Sequence, residues 1–146
     1  MTKRSAFYII IVCTFFIVTS CQNDPIFHNS HEPNRQNTPF SDAVETEGFL
    51  FLAGQIGRDH KTGLLANGIE GQTKQVIKNI EAVLKHHNSS LNNVVKCTVI
   101  LKNIDDFQAF NEVYTQYFTN KPARTTFAAA GLAANALIEI DVIASK

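Results

Sequence analysis

From residue 39 to residue 146 the apolar and polar positions keep a regular rhythm, and between residues 22 and 38 they do not. "SDAVETEGFLFLAGQIG" predicts two strands around a turn at Glu47-Gly48, and the largely apolar "FLFLAGQI" predicts a central strand. "RDHKTGLL" is a charged loop. In "GIEGQTKQVIKNIEAVLKHH" the residues Ile69, Thr73, Val76, Ile77, Ile80, Val83 and Leu84 recur at helical spacing, with Asn67 placed to cap the start and "NSSLNN" to stop the helix. "VVKCTVILKN" is rich in β-branched residues and predicts a third strand. A second helix follows in "NIDDFQAFNEVYTQYF", with Asn103 as N-cap, Asp106 in the first turn and an apolar face of Ile104, Phe107, Phe110, Tyr114, Tyr117 and Phe118. Pro122 ends it, and "RTTFAAAGL" and "LIEIDVIAS" predict two final strands.

The predicted order is β-β-α-β-α-β-β, an α+β two-layer sandwich with two helices on one face of a mixed sheet. Two helices leave the other face uncovered, although it too carries apolar residues. An apolar face of that size marks an interface, and a symmetric homo-oligomer would cover it.

The N-terminus has a different pattern. Lys3 and Arg4 precede about fifteen apolar or small residues, "AFYIIIVCTFFIVTS", the layout of a secretory signal over residues 1–20. "VTSC" at 18–21 resembles a bacterial lipobox, which makes Cys21 the expected lipidation site and implies an exported protein held on a bacterial membrane; the alternative is an uncleaved N-terminal anchor helix in which Cys21 is incidental. Cys13 follows Val12, where a lipobox needs a small residue. Gln22 after Cys21, in place of aspartate, favours the outer membrane, and anchoring on the periplasmic side of the inner membrane stays open. Residues 21–38, which include "QNDPIFHNSHEPNRQNT", read as the lipidated cysteine and a flexible tether, with His28 and His31 as solvated tether residues. The folded domain is expected over residues 39–146.

Thirteen basic and thirteen acidic residues cancel, so no basic surface advertises nucleic-acid binding. With Cys13 in the signal and Cys21 lipidated, Cys97 stands alone in "VVKCTVIL", and neither a disulfide framework nor a Cys-based metal site can be built. Cys97 reads as a small buried hydrophobe. His60, His86 and His87 have no recognisable acid–base spacing, and the last two favour the helix C-terminus or face solvent.

Candidate chemistry narrows to Arg124, in "KPART", and Glu139, in "ALIEIDVIA". A guanidinium suits bidentate capture of a carboxylate. Alternation places Glu139 and Asp141 on one face of their strand. Three readings stand: both acids are ordinary surface residues, Arg124 and Glu139 form a salt bridge, or the two serve a ligand.

The stretches "TPFSDAV", "FLFLAGQIG", "KTG", "GIEGQTKQVIKNIEAVL", "VVKCTVILKNIDDF", "FNEVYTQYF", "PAR" and "IEIDVIA", taken together in this order, resemble the RidA/YjgF family of enamine/imine deaminases from about Pro39 to Ser145. The resemblance implies a chorismate-mutase-like fold and a homotrimer with a ligand cleft at each subunit boundary. It assigns substrate-carboxylate binding to Arg124 and water activation to Glu139. Asn111 matches a motif asparagine, and Gly54 a glycine that lets backbone approach the cleft. Three positions depart from the pattern. Phe40 replaces a tyrosine and Ala53 a serine, which makes the substrate site more apolar, while Thr126 replaces a cysteine, a mild change because backbone groups there can still bind a ligand. "AAAGLAANA" also lacks the proline and charges common in the loop before the last strand.

The implied activity is hydrolysis of 2-imino or enamino acids to 2-keto acids and ammonia, with neither metal nor organic cofactor. Its alternative is a non-catalytic member that binds a small carboxylate. The family's older ribonuclease description sits poorly with a chain of no net charge.

Overall fold

The Glu47-Gly48 turn takes positive φ at both residues, 47° and 75°, the geometry that joins two tightly paired antiparallel strands. It connects β2 (Ala43–Thr46) to β3 (Phe49–Leu52). In this computed structural model, which describes residues 24–146, the remaining elements are β1 (Ile26–His28), β4 (Gln55–Ile56), α1 (Gly68–His86), β5 (Val94–Leu101), α2 (Phe107–Tyr117), β6 (Ala123–Ala128) and β7 (Ile138–Ser145). The expected signal segment and Cys21 lie outside the described residues.

The strands form one sheet in the order β1-β2-β3-β7-β5-β6, with β4 also pairing β7. Only β5 and β6 run parallel, joined by α2 as a crossover. The expected central strand "FLFLAGQI" is broken at Ala53-Gly54, so β3 and β4 pair successive parts of β7. The α+β sandwich with a mixed sheet and two helices is therefore the observed fold, with β1 and β4 added to the expected order.

Strand alternation divides the sheet into two faces. Leu50, Leu52, Cys97, Val99, Leu101, Ile138, Ile140 and Val142 point to the helix layer and are buried. They meet Val76, Ile77, Ile80, Val83 and Leu84 of α1 and Phe110, Tyr114 and Phe118 from the α2 region in one core. Phe107 and Ile104, expected on the apolar face of the second helix, remain substantially exposed at its N-terminal end. Asn67 occupies the N-cap of α1 without a side-chain capping bond. The other end is better closed: Asn88 takes φ 59°, Asn88 N donates to Lys85 O at 3.1 Å and Ser89 N to Leu84 O at 2.8 Å. Asn103 does cap, accepting from Asp105 N at 3.1 Å, but over a short 3-10 turn that leads into α2.

The largest correction concerns residues 24–38. The tether expected there is packed: Ile26–His28 pairs antiparallel with Ala43–Glu45. His28 and His31 are not solvated tether residues. The His28 ring lies 4.4 Å from His87 and the His31 ring stacks 4.6 Å from His86, while His86 and His87 meet edge-on at 5.0 Å. Arg35 reaches the domain with Nη2 2.9 Å from the buried carboxylate of Asp42 and donates from Nη1 to Gln55 Oε1 at 3.1 Å. A three-residue strand with long-range partners leaves no periodic signature, which is why the sequence pattern concealed it.

Candidate functional site

Glu139 and Arg124 lie on opposite faces of the sheet. Glu139 pairs with Ile56 and Ile100, whose side chains share the face away from the helices. On β6, Arg124 pairs with Cys97 and Thr126 with Val99, which places both on the helix face. From the strand spacing and register, the two Cα atoms stand roughly 14 Å apart. This placement overturns the salt-bridge reading and equally excludes a single cleft containing both groups of one copy.

Arg124 is held by α2. Its Nη1 donates to Asn111 Oδ1 at 2.9 Å, and the guanidinium carbon lies 4.6 Å from the ring centre of Tyr114, 5.2 Å from Phe110 and 5.7 Å from Phe107. Asn111 and Arg124 meet because the α2 crossover returns the chain alongside β5. Phe107, partly exposed, lies beside the guanidinium at the sheet edge. Arg124, Asn111 and Tyr114 border a cavity of about 360 Å³ with Lys121 and Pro122. Thr126 lies two residues further along the same face, and its buried hydroxyl has no hydrogen-bond partner among the described residues.

Glu139 faces a second cavity of about 610 Å³, shared with Phe40, Gly54, Arg35, Arg58 and Lys61. Gly54 is required here by space: a Cβ on it would overlap Glu139 Oε1 and stand 3.1 Å from Cδ. Ala53 lies beside it, its N–H donating to Asp42 O at 3.0 Å and its carbonyl accepting from Gln55 Nε2 at 3.3 Å. Burial, with the negative charge of Asp141 adding to it, pushes the Glu139 carboxyl above its ordinary pKa. A carboxylate that holds a proton more readily than usual is suited to accept one from water and return it to a leaving group.

The sequence pattern missed the rest of this wall. Arg35 falls in the expected tether, and Arg58 and Lys61 in the expected charged loop; a cluster of cations flanking an apolar strand is their only signal. His60 also lines this cavity, and its Nδ1 is 3.0 Å from Glu32 Oε1. Support comes from α1: Asn79 Nδ2 donates to Ile56 O at 3.1 Å and to Arg58 O at 2.8 Å. Gln72 accepts from Leu137 N at 2.8 Å just before β7. Gly57 allows that approach, since a Cβ there would meet Gln72 Cβ at 2.5 Å. Cys97 is inert as expected: burial, only partly offset by the Tyr114 hydroxyl at 3.3 Å, raises its thiol to about 11. Among the described residues no group of three or more His, Cys, Asp and Glu side chains is arranged to hold a metal ion.

The chain belongs to the endoribonuclease L-PSP family, whose model matches residues 30–146, and which contains the RidA and RutC proteins. A RutC family protein of Pyrococcus horikoshii is 48% identical over 110 residues, covering 74% of this chain and 87% of that protein. The human 2-iminobutanoate/2-iminopropanoate deaminase is 41% identical over 108 residues, covering 73% of this chain and 79% of its own. A crystal structure of a putative endoribonuclease from Thermotoga maritima superposes with a TM-score of 0.76 at 41% identity, covering 83% of this chain and 97% of that one. The fold is thus chorismate-mutase-like, as the motif resemblance implied.

Proposed function

We propose that the chain is a hydrolytic deaminase of 2-imino acids and that its active site forms between copies in a homotrimer. The observation that carries this reading is the opposed placement of Arg124 and Glu139. Arg124 lies on edge strand β6, and Glu139 lies on the open sheet face. That face also carries Phe27, Val44, Phe49, Phe51, Ile100, Phe127 and Ile143, and Phe27 is 70% exposed. Docking this face against the edge of a second copy covers the apolar row and brings one copy's arginine to the other's glutamate. The name of the human relative supports the substrate class.

In the reaction, Arg124 of one copy holds the substrate carboxylate with the imine carbon beside Glu139 of the other. Glu139 removes a proton from water as its oxygen bonds to the imine carbon. The imine nitrogen takes that proton to give a carbinolamine; its hydroxyl proton then passes through Glu139 to the nitrogen as the C=O bond forms and the C–N bond breaks, releasing ammonia and a 2-keto acid. No step requires a metal or organic cofactor.

A second reading is a module that binds a small carboxylate without turning it over. Phe40, half exposed in the cavity wall, favours it by removing the hydroxyl found in the family motif, and Ala53 removes a second one. The test uses the full chain in detergent with an amino-acid oxidase that generates 2-imino acids. Faster imine loss that disappears in Arg124→Ala and in Glu139→Ala supports the deaminase. No acceleration, with carboxylate binding that depends on Arg124, establishes the binder. The same reading includes export directed by residues 1–20 and lipid at Cys21, which the mass of the N-terminal peptide would test.

A further inference from the structure

The cavity over Glu139 has more positive charge than its one carboxylate explains. Three side chains in its wall are cationic at neutral pH: Arg35, Arg58 and Lys61. Arg35 is accounted for by Asp42, at 2.9 Å, and by Gln55. Arg58 and Lys61 have no acidic partner among the described residues. Asp59 between them feels the charge of Lys61 but forms no ion pair with either side chain; its Oδ1 accepts from the backbone N–H of Lys61 at 2.8 Å and of Thr62 at 3.0 Å.

Arg58 is the stronger of the two. Its Nε is buried and lacks a hydrogen-bond partner among the described residues. A buried donor left unmade costs free energy, and two guanidinium groups in one wall repel each other unless an anion lies between them. The backbone around Arg58 is fixed. Its N–H donates to Ile56 O at 2.8 Å, its carbonyl accepts from Asn79, and Ala66 N donates back to Gly57 O at 2.9 Å. The chain therefore presents this arginine on a rigid loop two residues beyond Ile56, the strand partner of Glu139. An unpaired guanidinium held this way is suited to a planar carboxylate.

We propose that Arg58, with Lys61 at the mouth, selects a dicarboxylic 2-imino acid by binding the carboxylate at the far end of its side chain. The proposal rests on the deaminase reading and names its substrate class. Phe40 and Gly54 line the same cavity, so the middle of the substrate would meet apolar surface and the two ends would meet arginines.

The test compares kcat/KM of the full chain for imino acids generated from an acidic and from a neutral amino acid. Preference for the acidic imine, falling about tenfold in Arg58→Met and less in Arg58→Lys, is expected. Calorimetric binding of 2-oxoglutarate and of 2-oxobutanoate provides a readout independent of turnover. Tighter binding of the dicarboxylate, lost in Arg58→Met, supports the site even if no imine is hydrolysed, in which case only the deaminase reading fails. Hydrolysis of neutral imines with no acidic preference and no dicarboxylate advantage overturns the inference alone. Arg58-dependent binding of inorganic phosphate that exceeds dicarboxylate binding also overturns it, because the preferred anion would then be a phosphoryl group.

Discussion

In the proposed site between copies, Arg124 and Glu139 are two halves built in different ways. The arginine is finished within its own chain: α2 provides Asn111, which accepts its hydrogen bond, and three aromatic rings. The half-buried glutamate has no such partners, with Gly54 against its oxygen and burial raising its proton affinity. On the proposed roles, the group that must hold still is surrounded by fixed contacts, whereas the group that would exchange a proton keeps no ionic partner. Each half is structurally complete and chemically incomplete.

The largest effect should come from removing the proton acceptor. Glu139→Gln is expected to reduce imine hydrolysis by roughly 10²–10⁴-fold. The same change should raise thermal stability slightly near neutral pH. A raised folded pKa means that the ionised carboxyl disfavours the folded state once pH exceeds the unfolded value, near 4.5. The stability difference should therefore vanish as pH falls through the folded pKa and below the unfolded one. Thermal melts at several pH values would check the sign, and the effect is small because Glu139 remains partly solvated.

Mixing two dead variants would break or sharpen the comparison directly. Arg124→Ala and Glu139→Gln copies, unfolded and refolded together, should regain roughly a quarter of wild-type activity if sites form between copies at random in a trimer. Recovery of none would place both groups in a site of another kind. A more local effect is expected for Gly54→Ala, whose new methyl must displace the Glu139 carboxylate. Turnover should drop about 10–100-fold with near-native melting, measured by kcat alongside Tm. Asn111→Ala should be milder, raising KM several-fold by freeing the Arg124 guanidinium and costing about 1 kcal/mol of stability in denaturant titration.

The smallest effect lies away from both half-sites. The imidazole of His87 is pushed below its ordinary pKa, chiefly by burial, then by His28, His86 and Lys146, with Glu45 opposing them. A depressed histidine contributes stability that is present above the unfolded pKa, near 6.5, and lost as pH falls below it. Denaturation midpoints of the wild-type chain should therefore decline modestly from pH 7 toward pH 5, and less in His87→Asn.

The helix layer was legible in the sequence because seven positions of α1 repeat at one angle, and only a helix gathers a repeat of that spacing onto one side. Glu139 was legible because β7 alternates over eight residues. The facing of Arg124 was not, since "ARTTFA" mixes small and polar residues without alternation, and only its register with Cys97 assigns a side. β1 was hidden for a different reason: its partner strand begins fifteen residues beyond its end, after proline-containing polar sequence. Arg58 was hidden because a charged loop looks solvated until the cavity it faces is known.

The apolar row from Phe27 through Val44 and Phe51 to Ile143 crosses four adjacent strands. If copies associate through it, the folded state is a property of protein concentration as well as of sequence. Dilution would then expose this row in each separated copy, lower the melting temperature and depress specific activity more steeply than linearly. Such a chain would become less stable by being made scarce, with no residue changed.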